Sequence, residues 1–147
     1  MKLPEPPHLR ELNRANEQEY NLVLAGWLRT YVGTKEKPSS VNLTIERSVM
    51  YRLYQPVVKE IIERSNVVVA CLADARDAVL GWVAFEGLVV HYICVKPRWQ
   101  RLGVATFMLC DFAELRDVMY THKTSDGSKL PIAKGWEYHP MGRFEGS

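Results

Sequence analysis

The chain has 147 residues, of which 24% are charged, and 19 basic residues against 17 acidic ones leave a formal net charge of only +2. That length suits one domain with room for a core, and the balance of charge gives no bulk argument for a nucleic-acid binder, which needs a concentrated basic face. No apolar run approaches the ~20 residues that span a bilayer, and the start, Met-Lys-Leu-Pro-Glu-Pro-Pro, lacks a signal-peptide core. Cytoplasm is therefore the expected compartment, with no membrane partner. Cys71, Cys94 and Cys110 all lie in apolar runs and lack any Cys-x-x-Cys spacing. They are expected to be reduced core residues.

Taken in order, Pro4, Pro6 and Pro7 keep the first residues extended, and Asn13 or Asn16 can cap a helix reaching about Val32. Leu22, Leu24, Ala25, Trp27, Leu28 and Tyr31 supply its apolar side. Residues 33–40, with Gly33, Pro38 and two serines, read as a loop, because neither flank is large enough to stand alone. Leu53, Val57, Ile61 and Ile62 give residues 49–64 a helical period, with Pro56 starting or kinking that helix. Trp27, Tyr31, Tyr51 and Tyr54 fall at helical spacings and read as core before they read as a substrate box. Two strands are expected over residues 67–73 and 78–86, joined by the polar turn 74–77, and a third over 88–95. A helix over 104–118 follows, then short strands at 118–122 and 135–140. No convincing strand precedes the first helix, although residues 41–45 or the N-terminus can supply a short one.

The chemistry concentrates between Cys94 and Met108. An apolar run ends at Lys96-Pro97, and an amphipathic stretch begins at Val104 just after Gly103. This predicts a strand, a tight loop and a helix start. Gly103 tolerates positive φ, so the amides of residues 101–105 can converge on one anion at the positive end of a helix dipole. Lys96, Arg98 and Arg101 place three cations within six residues, which suits a pyrophosphate.

Gln100-Arg101-Leu102-Gly103-Val104-Ala105 fits the pattern Gln/Arg-x-x-Gly-x-Gly/Ala and thereby resembles the acyl-CoA signature of the GCN5-related N-acetyltransferases. Val95-Lys96-Pro97 resembles that family's strand ending in Val-x-Pro, and residues 67–86 look like the hairpin before it. The resemblance covers residues 67–122 well and the rest by arrangement. It implies an α/β acyl-CoA N-acyltransferase fold, with a mixed, mostly antiparallel sheet flanked by helices. It also implies one domain over 1–147, with a helical acceptor-side part (1–66), an acetyl-CoA-binding core (67–122) and a C-terminal loop and strand (123–147). Acetyl-CoA becomes the implied co-substrate and an amine the acceptor. The implied cofactor contacts are Ile93, Cys94, Val95, Arg98, Gln100, Arg101, Leu102, Gly103, Val104, Ala105 and Thr106, with backbone groups of Cys94 and Val95 pairing with the pantetheine arm as an added strand would.

Transfer to an amine needs proton removal and a donor for the oxyanion. Alternation along residues 88–95 puts His91, Ile93 and Val95 on one side, and in the arylalkylamine branch of the family a histidine at the matching position assists deprotonation. Glu86, ending the preceding strand, is a rival base. The family's acid tyrosine has no counterpart in residues 121–135, which leaves Tyr138, or a water, in that role. Cys94 has no base spaced beside it to make it a nucleophile, and His122 and His139 alone do not make a metal site. No Gly-x-Gly-x-x-Gly after a strand, Gly-Lys-Ser/Thr loop, His-Glu-x-x-His or Gly-x-Ser-x-Gly occurs. Two alternatives stay open: an acyl-CoA-binding or regulatory protein of weak activity, and a phage-type enzyme modifying nucleobases in DNA. Acceptor identity and oligomeric state, a homodimer included, are not written in the sequence.

Overall fold

A run of small and β-branched residues, Val-Val-Val-Ala-Cys, is buried on nearly every position. In the computed structural model, which describes residues 3, 5–32, 47–112, 118–120 and 136–138, this run is the strand β2 (Asn66–Leu72). Around it the chain forms β1 (His8–Glu11), β3 (Ala75–Glu86), β4 (Val89–Val95), β5 (Met119–Tyr120) and β6 (Glu137–Tyr138), with helices α1 (Glu17–Val32), α2 (Arg47–Arg64) and α3 (Val104–Met108). The six strands make one sheet in the order β1-β2-β3-β4-β5-β6. Pairing is antiparallel from β1 to β4 and parallel from β4 to β6. An α/β protein with a mixed, mostly antiparallel sheet is what the family resemblance implies. The N-terminus supplies the missing first strand, and residues 41–45 lie outside the described residues.

Contacts divide the chain into two compact units, residues 1–12 with 66–147, and residues 13–65. The smaller unit holds α1 and α2. Asn16, not Asn13, caps α1: its Oδ1 accepts the amides of Gln18 (3.0 Å) and Glu19 (3.3 Å), satisfying donors that the first helical turn leaves without partners. Glu19 in turn accepts the Asn13 amide at 2.7 Å. Pro56 lies well inside α2, so the helix starts nine residues before it and runs on without the amide that Pro56 lacks. At the far end of α2 the Arg14 guanidinium donates to the carbonyls of Ile62 (2.9 Å) and Ser65 (2.7 Å), where a cation also suits the helix dipole. Trp27 is fully buried, and Tyr51 and Tyr54 are half-buried.

The larger unit carries the sheet. Ala70, Leu80, Val83, Val90, Val104, Met108, Leu109, Phe112 and Val118 form its core cluster, so α3 lies on one face of the strands. Phe112 bridges Phe85 and Trp136 by edge-to-face contacts at 5.2 and 6.2 Å. The register shifts at three places, one of them at the end of the β2–β3 hairpin, where Cys71 pairs with Val79 but Leu72 with Ala75. Ala70 pairs with Gly81 but Cys71 with Val79, which leaves Leu80 as an extra residue. Ala84 pairs with Tyr92 but Phe85 with Val90, which leaves His91 as an extra residue on β4.

The helix expected over 104–118 is much shorter. It stops at Met108, and after Leu109 a 3₁₀ turn follows over Cys110–Phe112, closed by the Phe112 amide donating to the Leu109 carbonyl at 2.9 Å. Thr106, Phe107, Cys110 and Asp111 are weak helix formers, so local propensity does little to extend it. Cys110 is exposed there rather than in the core, while Cys71 is buried and Cys94 half-buried, and all three are free thiols.

Candidate functional site

Gly81 sets the geometry of the site. A Cβ on this residue would lie 2.4 Å from the Cys94 carbonyl oxygen and 3.1 Å from the Val95 Cα, so only glycine lets β3 and β4 approach this closely. Beside it the Lys96 amide donates to the Leu80 carbonyl at 2.8 Å. A bond from the residue after Val95 to the residue before Gly81 makes Gly81 and Val95 a non-hydrogen-bonded pair, so the amide and carbonyl of Val95 face away from β3. The Val83–Ile93 pair, two residues along, repeats the pattern, and Ile93 faces the same way.

On that side β4 loses its neighbour. Its described pairing with β5 consists of Val89 with Met119 and Val90 with Tyr120, and among the described residues no strand continues it toward Val95. Among the described residues, then, no strand pairs with Ile93 and Val95 on this side, and the Val95 carbonyl accepts from the Gln100 side chain instead. Cys94, by contrast, has its carbonyl against Gly81 and its backbone turned toward β3. Of the three neighbouring contacts that the resemblance implies, Ile93 and Val95 turn their backbone groups away from β3 and Cys94 lies between them.

This end of β4 leads into the loop. Pro97–Trp99 form a 3₁₀ turn, closed by the Trp99 amide donating to the Lys96 carbonyl at 2.8 Å. The Arg98 guanidinium lies over the Trp99 ring at 5.3 Å, and Trp99 and Leu102 pack on the core cluster, anchoring the loop from below. Gln100 folds back, its side-chain amide donating to the Val95 carbonyl at 3.0 Å. Arg101 (φ 65°) and Gly103 (φ 82°) both have positive φ, whereas Leu102 between them does not. Backbone of alternating hand turns successive amides to one side, the arrangement that makes an anion-binding concavity. A non-glycine residue with positive φ is uncommon and often marks a functional site. Nothing would lie within 4 Å of a Cβ on Gly103, so its backbone is open to a ligand.

The first amide to bond within α3 is that of Phe107, to the Gly103 carbonyl at 2.9 Å, so the amides of Val104, Ala105 and Thr106 have no acceptor inside the helix. The side chain of Val104 is buried, that of Ala105 half-buried and that of Thr106 exposed. Five residues make only a small dipole. Attraction for an anion would rest on the loop amides and on Lys96, Arg98 and Arg101, of which the two arginines are exposed.

His91 and Glu86 are brought together. The bulge breaks the alternation that would have put His91 beside Ile93 and Val95. Val90 and Ile93, three apart, both pack against the core cluster, while His91 Nε2 lies 2.8 Å from Glu86 Oε1. The two side chains are 0% and 5% exposed. An ionised carboxylate only accepts, so Nε2 is the donor when Glu86 is charged. Tyr138 has its backbone in β6, paired with Tyr120, and its side chain lies outside the described residues. So do His122 and His139, and among the described residues no cluster of His, Cys, Asp and Glu could hold a metal ion. No described helix is long and apolar enough to cross a membrane. Sequence reasoning missed Gly81, although a lone glycine in an apolar strand signals a bulge or close approach. It also missed the conformation of Arg101, for which an arginine gives no local signal.

No protein-family model matches the sequence, and no curated protein sequence matches it. Solved structures do. A GCN5-related N-acetyltransferase (aminotransferase, class II) from Rhodopseudomonas palustris aligns over 76% of this chain and 66% of its own, with 13% identity and a TM-score of 0.50. An N-acetyltransferase from Staphylococcus aureus Mu50 aligns over 88% and 81%, with 15% identity and a TM-score of 0.46. A possible acetyltransferase from Clostridium difficile 630 aligns over 74% and 69%, with 11% identity and a TM-score of 0.44. The chain thus spans about two thirds of the length of the first of these. From its mixed, mostly antiparallel sheet and this likeness, the protein has the fold of the GCN5-related N-acetyltransferases.

Proposed function

We propose that the protein is an N-acetyltransferase that moves an acetyl group from acetyl-CoA to an amine by direct attack. The observation that carries this reading is the side of β4 that no described strand covers, where Ile93 and Val95 turn backbone groups away from β3 just before the basic loop with left-handed Arg101 and Gly103. A pantetheine arm carries amides that can pair with a strand edge of this kind, as an added strand does. The open space at Gly103 and the alternating backbone around it fit a pyrophosphate. Gln100, Arg101, Leu102, Gly103, Val104, Ala105 and Thr106 would hold that end, with Arg98 beside them and Lys96 adding charge. Ile93 and Val95 would hold the arm, and Cys94 would contribute only from its position between them.

Acetyl-CoA supplies the activated thioester carbonyl. The protein must hold it in register, exclude competing water and accept the proton of the acceptor ammonium, which cannot attack while charged. His91 follows Val90, the last residue of β4 with a described partner on β5, and Glu86 ends β3 opposite Val89, so this pair is the proposed base. Tyr138, or a water, is the proposed proton source for the leaving thiolate.

The test is release of free thiol from acetyl-CoA in the presence of an aliphatic polyamine, an arylalkylamine and a lysine-containing peptide. Amine-dependent release, with mass-verified acetylation, is the expected result. Tight binding of acetyl-CoA without transfer to any of the three would favour an acyl-CoA-binding protein instead.

A further inference from the structure

Gln100 stands where the proposed cofactor arm has to pair. Val95 turns its amide and carbonyl away from β3, because the bond from the Lys96 amide to the Leu80 carbonyl makes Gly81 and Val95 a non-hydrogen-bonded pair. On that side the Val95 carbonyl already has a donor, the Gln100 side-chain amide at 3.0 Å. This bond has the chemistry of strand addition, an amide N–H on a strand carbonyl, but its donor comes from five residues further along the same chain. A pantetheine amide lying along β4 would make the same bond. A carbonyl has two lone pairs, yet an arm laid along the strand must approach from the side that Gln100 occupies, so the two donors compete.

The loop is built so that only this side chain has to move. Pro97 opens the 3₁₀ turn, whose Trp99 amide returns to the Lys96 carbonyl at 2.8 Å, and the Gln100 amide points back to the Pro97 carbonyl at 3.4 Å. Trp99 and Leu102, flanking Gln100, are half-buried and pack on the core cluster, which anchors the backbone between them. Gln100 itself is exposed. Rotation of its side chain frees the Val95 carbonyl without moving β4 or the loop, a change that exposed side chains make in picoseconds to nanoseconds.

We infer that Gln100 is an internal competitor for the pantetheine arm: its carboxamide caps the Val95 carbonyl in the free protein and swings away when the arm binds. The inference rests on the transfer reading above and concerns how the same site is held before the cofactor arrives. Capping lowers the apparent affinity for a ligand with an arm, in proportion to the fraction of free protein left uncapped, whereas a ligand without an arm is indifferent to it. An exposed hydrogen bond of this kind shifts such an equilibrium by about two- to fivefold. In return, the cap gives a partner to a backbone acceptor that no described strand covers, where it also opposes pairing with a strand of another protein.

The experiment measures by calorimetry the affinity of wild type, Gln100→Met and Gln100→Ala for two ligands. One is acetyl-CoA, and the other is its nucleotide half, 3′-phosphorylated ADP, which keeps the pyrophosphate and lacks the arm. Methionine keeps the length of glutamine without a donor, and alanine removes the side chain beyond Cβ. The competitor predicts that in both variants the preference for acetyl-CoA over the nucleotide rises by about two- to fivefold. The ratio is the readout, because a contact of the Gln100 side chain with the pyrophosphate would weaken both ligands alike and cancel. The carboxamide protons of Gln100, assigned by their loss in Gln100→Met, give a second readout by NMR. They should move to solvent-exposed values when acetyl-CoA saturates wild type. A preference that Gln100→Met leaves unchanged or lowers, or a carboxamide that keeps its free-protein position in the acetyl-CoA complex, overturns the inference. Absence of acetyl-CoA binding by wild type and both variants would instead sink the transfer reading.

Discussion

Replacing Gly81 with alanine tests the close approach of β3 and β4 that orients Val95. The added Cβ would sit 2.4 Å from the Cys94 carbonyl oxygen, 3.1 Å from the Val95 Cα and 3.3 Å from the Cys94 carbonyl carbon. All three are backbone atoms, so no rotamer change can relieve the contact. An ordinary carbon–oxygen approach is about 3.3 Å or more, which requires the strands to part by roughly 1 Å. That would weaken the 2.8 Å bond from the Lys96 amide to the Leu80 carbonyl. Overpacking of this kind costs about 1–3 kcal/mol, and loss of the backbone bond about 1 kcal/mol more. Alanine returns about 0.5 kcal/mol by restricting the unfolded chain. The net destabilisation is about 2–3 kcal/mol, or roughly 5–10 °C in Tm for a domain of this size. Urea denaturation measures it directly, and acetyl-CoA affinity should fall in parallel, because the displaced end of β4 carries the backbone groups of Val95. A variant within about 0.5 kcal/mol of wild type, with unchanged affinity, would refute the strand geometry from which the orientation of Val95 is argued.

Other positions give signs that are easy to tell apart. Arg101→Gly removes a left-handed arginine, so it should stabilise the fold by about 1 kcal/mol, yet weaken acetyl-CoA binding by about tenfold, more steeply at low salt; melting and calorimetry on the same sample read both. Asn16→Ala removes the acceptor of two α1 amides and should cost about 1 kcal/mol in denaturation, with acetyl-CoA affinity unaffected. The Tyr20 phenol is pushed up to about 12, first by burial and then by its hydrogen bond to Glu63, whose charge also opposes ionisation. Its folded value lies above its unfolded one near 10, so its stabilising contribution is intact below pH 10 and is lost as pH rises toward 12. Absorbance titration should find a late-ionising tyrosine that disappears in Tyr20→Phe, and a curve identical in the two proteins would contradict the assignment.

The parts of the fold legible in the sequence are those fixed by short-range patterns. The continuous apolar run of β2, the helical period of α2 and the glycine ending the loop each reflect a local rule that tertiary packing also obeys. β1 was harder to read because its residues, His8–Glu11, carry little apolar character and owe their extension to pairing with β2. The shortness of α3 was hidden because the apolar residues beyond it, Leu109 and Phe112, keep a helical spacing while the backbone tightens into a 3₁₀ turn. At the site, Gly103 and its cations could be found from composition and spacing. The joining of Glu86 and His91 could not, since strict alternation holds only without a bulge, and the register is a long-range property that no single strand declares.

The account stands most directly on acetyl-CoA binding by the end of β4 and its loop. Calorimetry with acetyl-CoA should compare wild type with Gly103→Glu, whose side chain enters space that is open in the fold and sets a negative charge against the pyrophosphate. Saturable binding by wild type that the substitution abolishes, with a melting temperature lowered only by the few degrees that about 1 kcal/mol of left-handed strain costs, is the predicted result. No binding by wild type, or equal binding by both proteins, would contradict the placement of the cofactor at this loop.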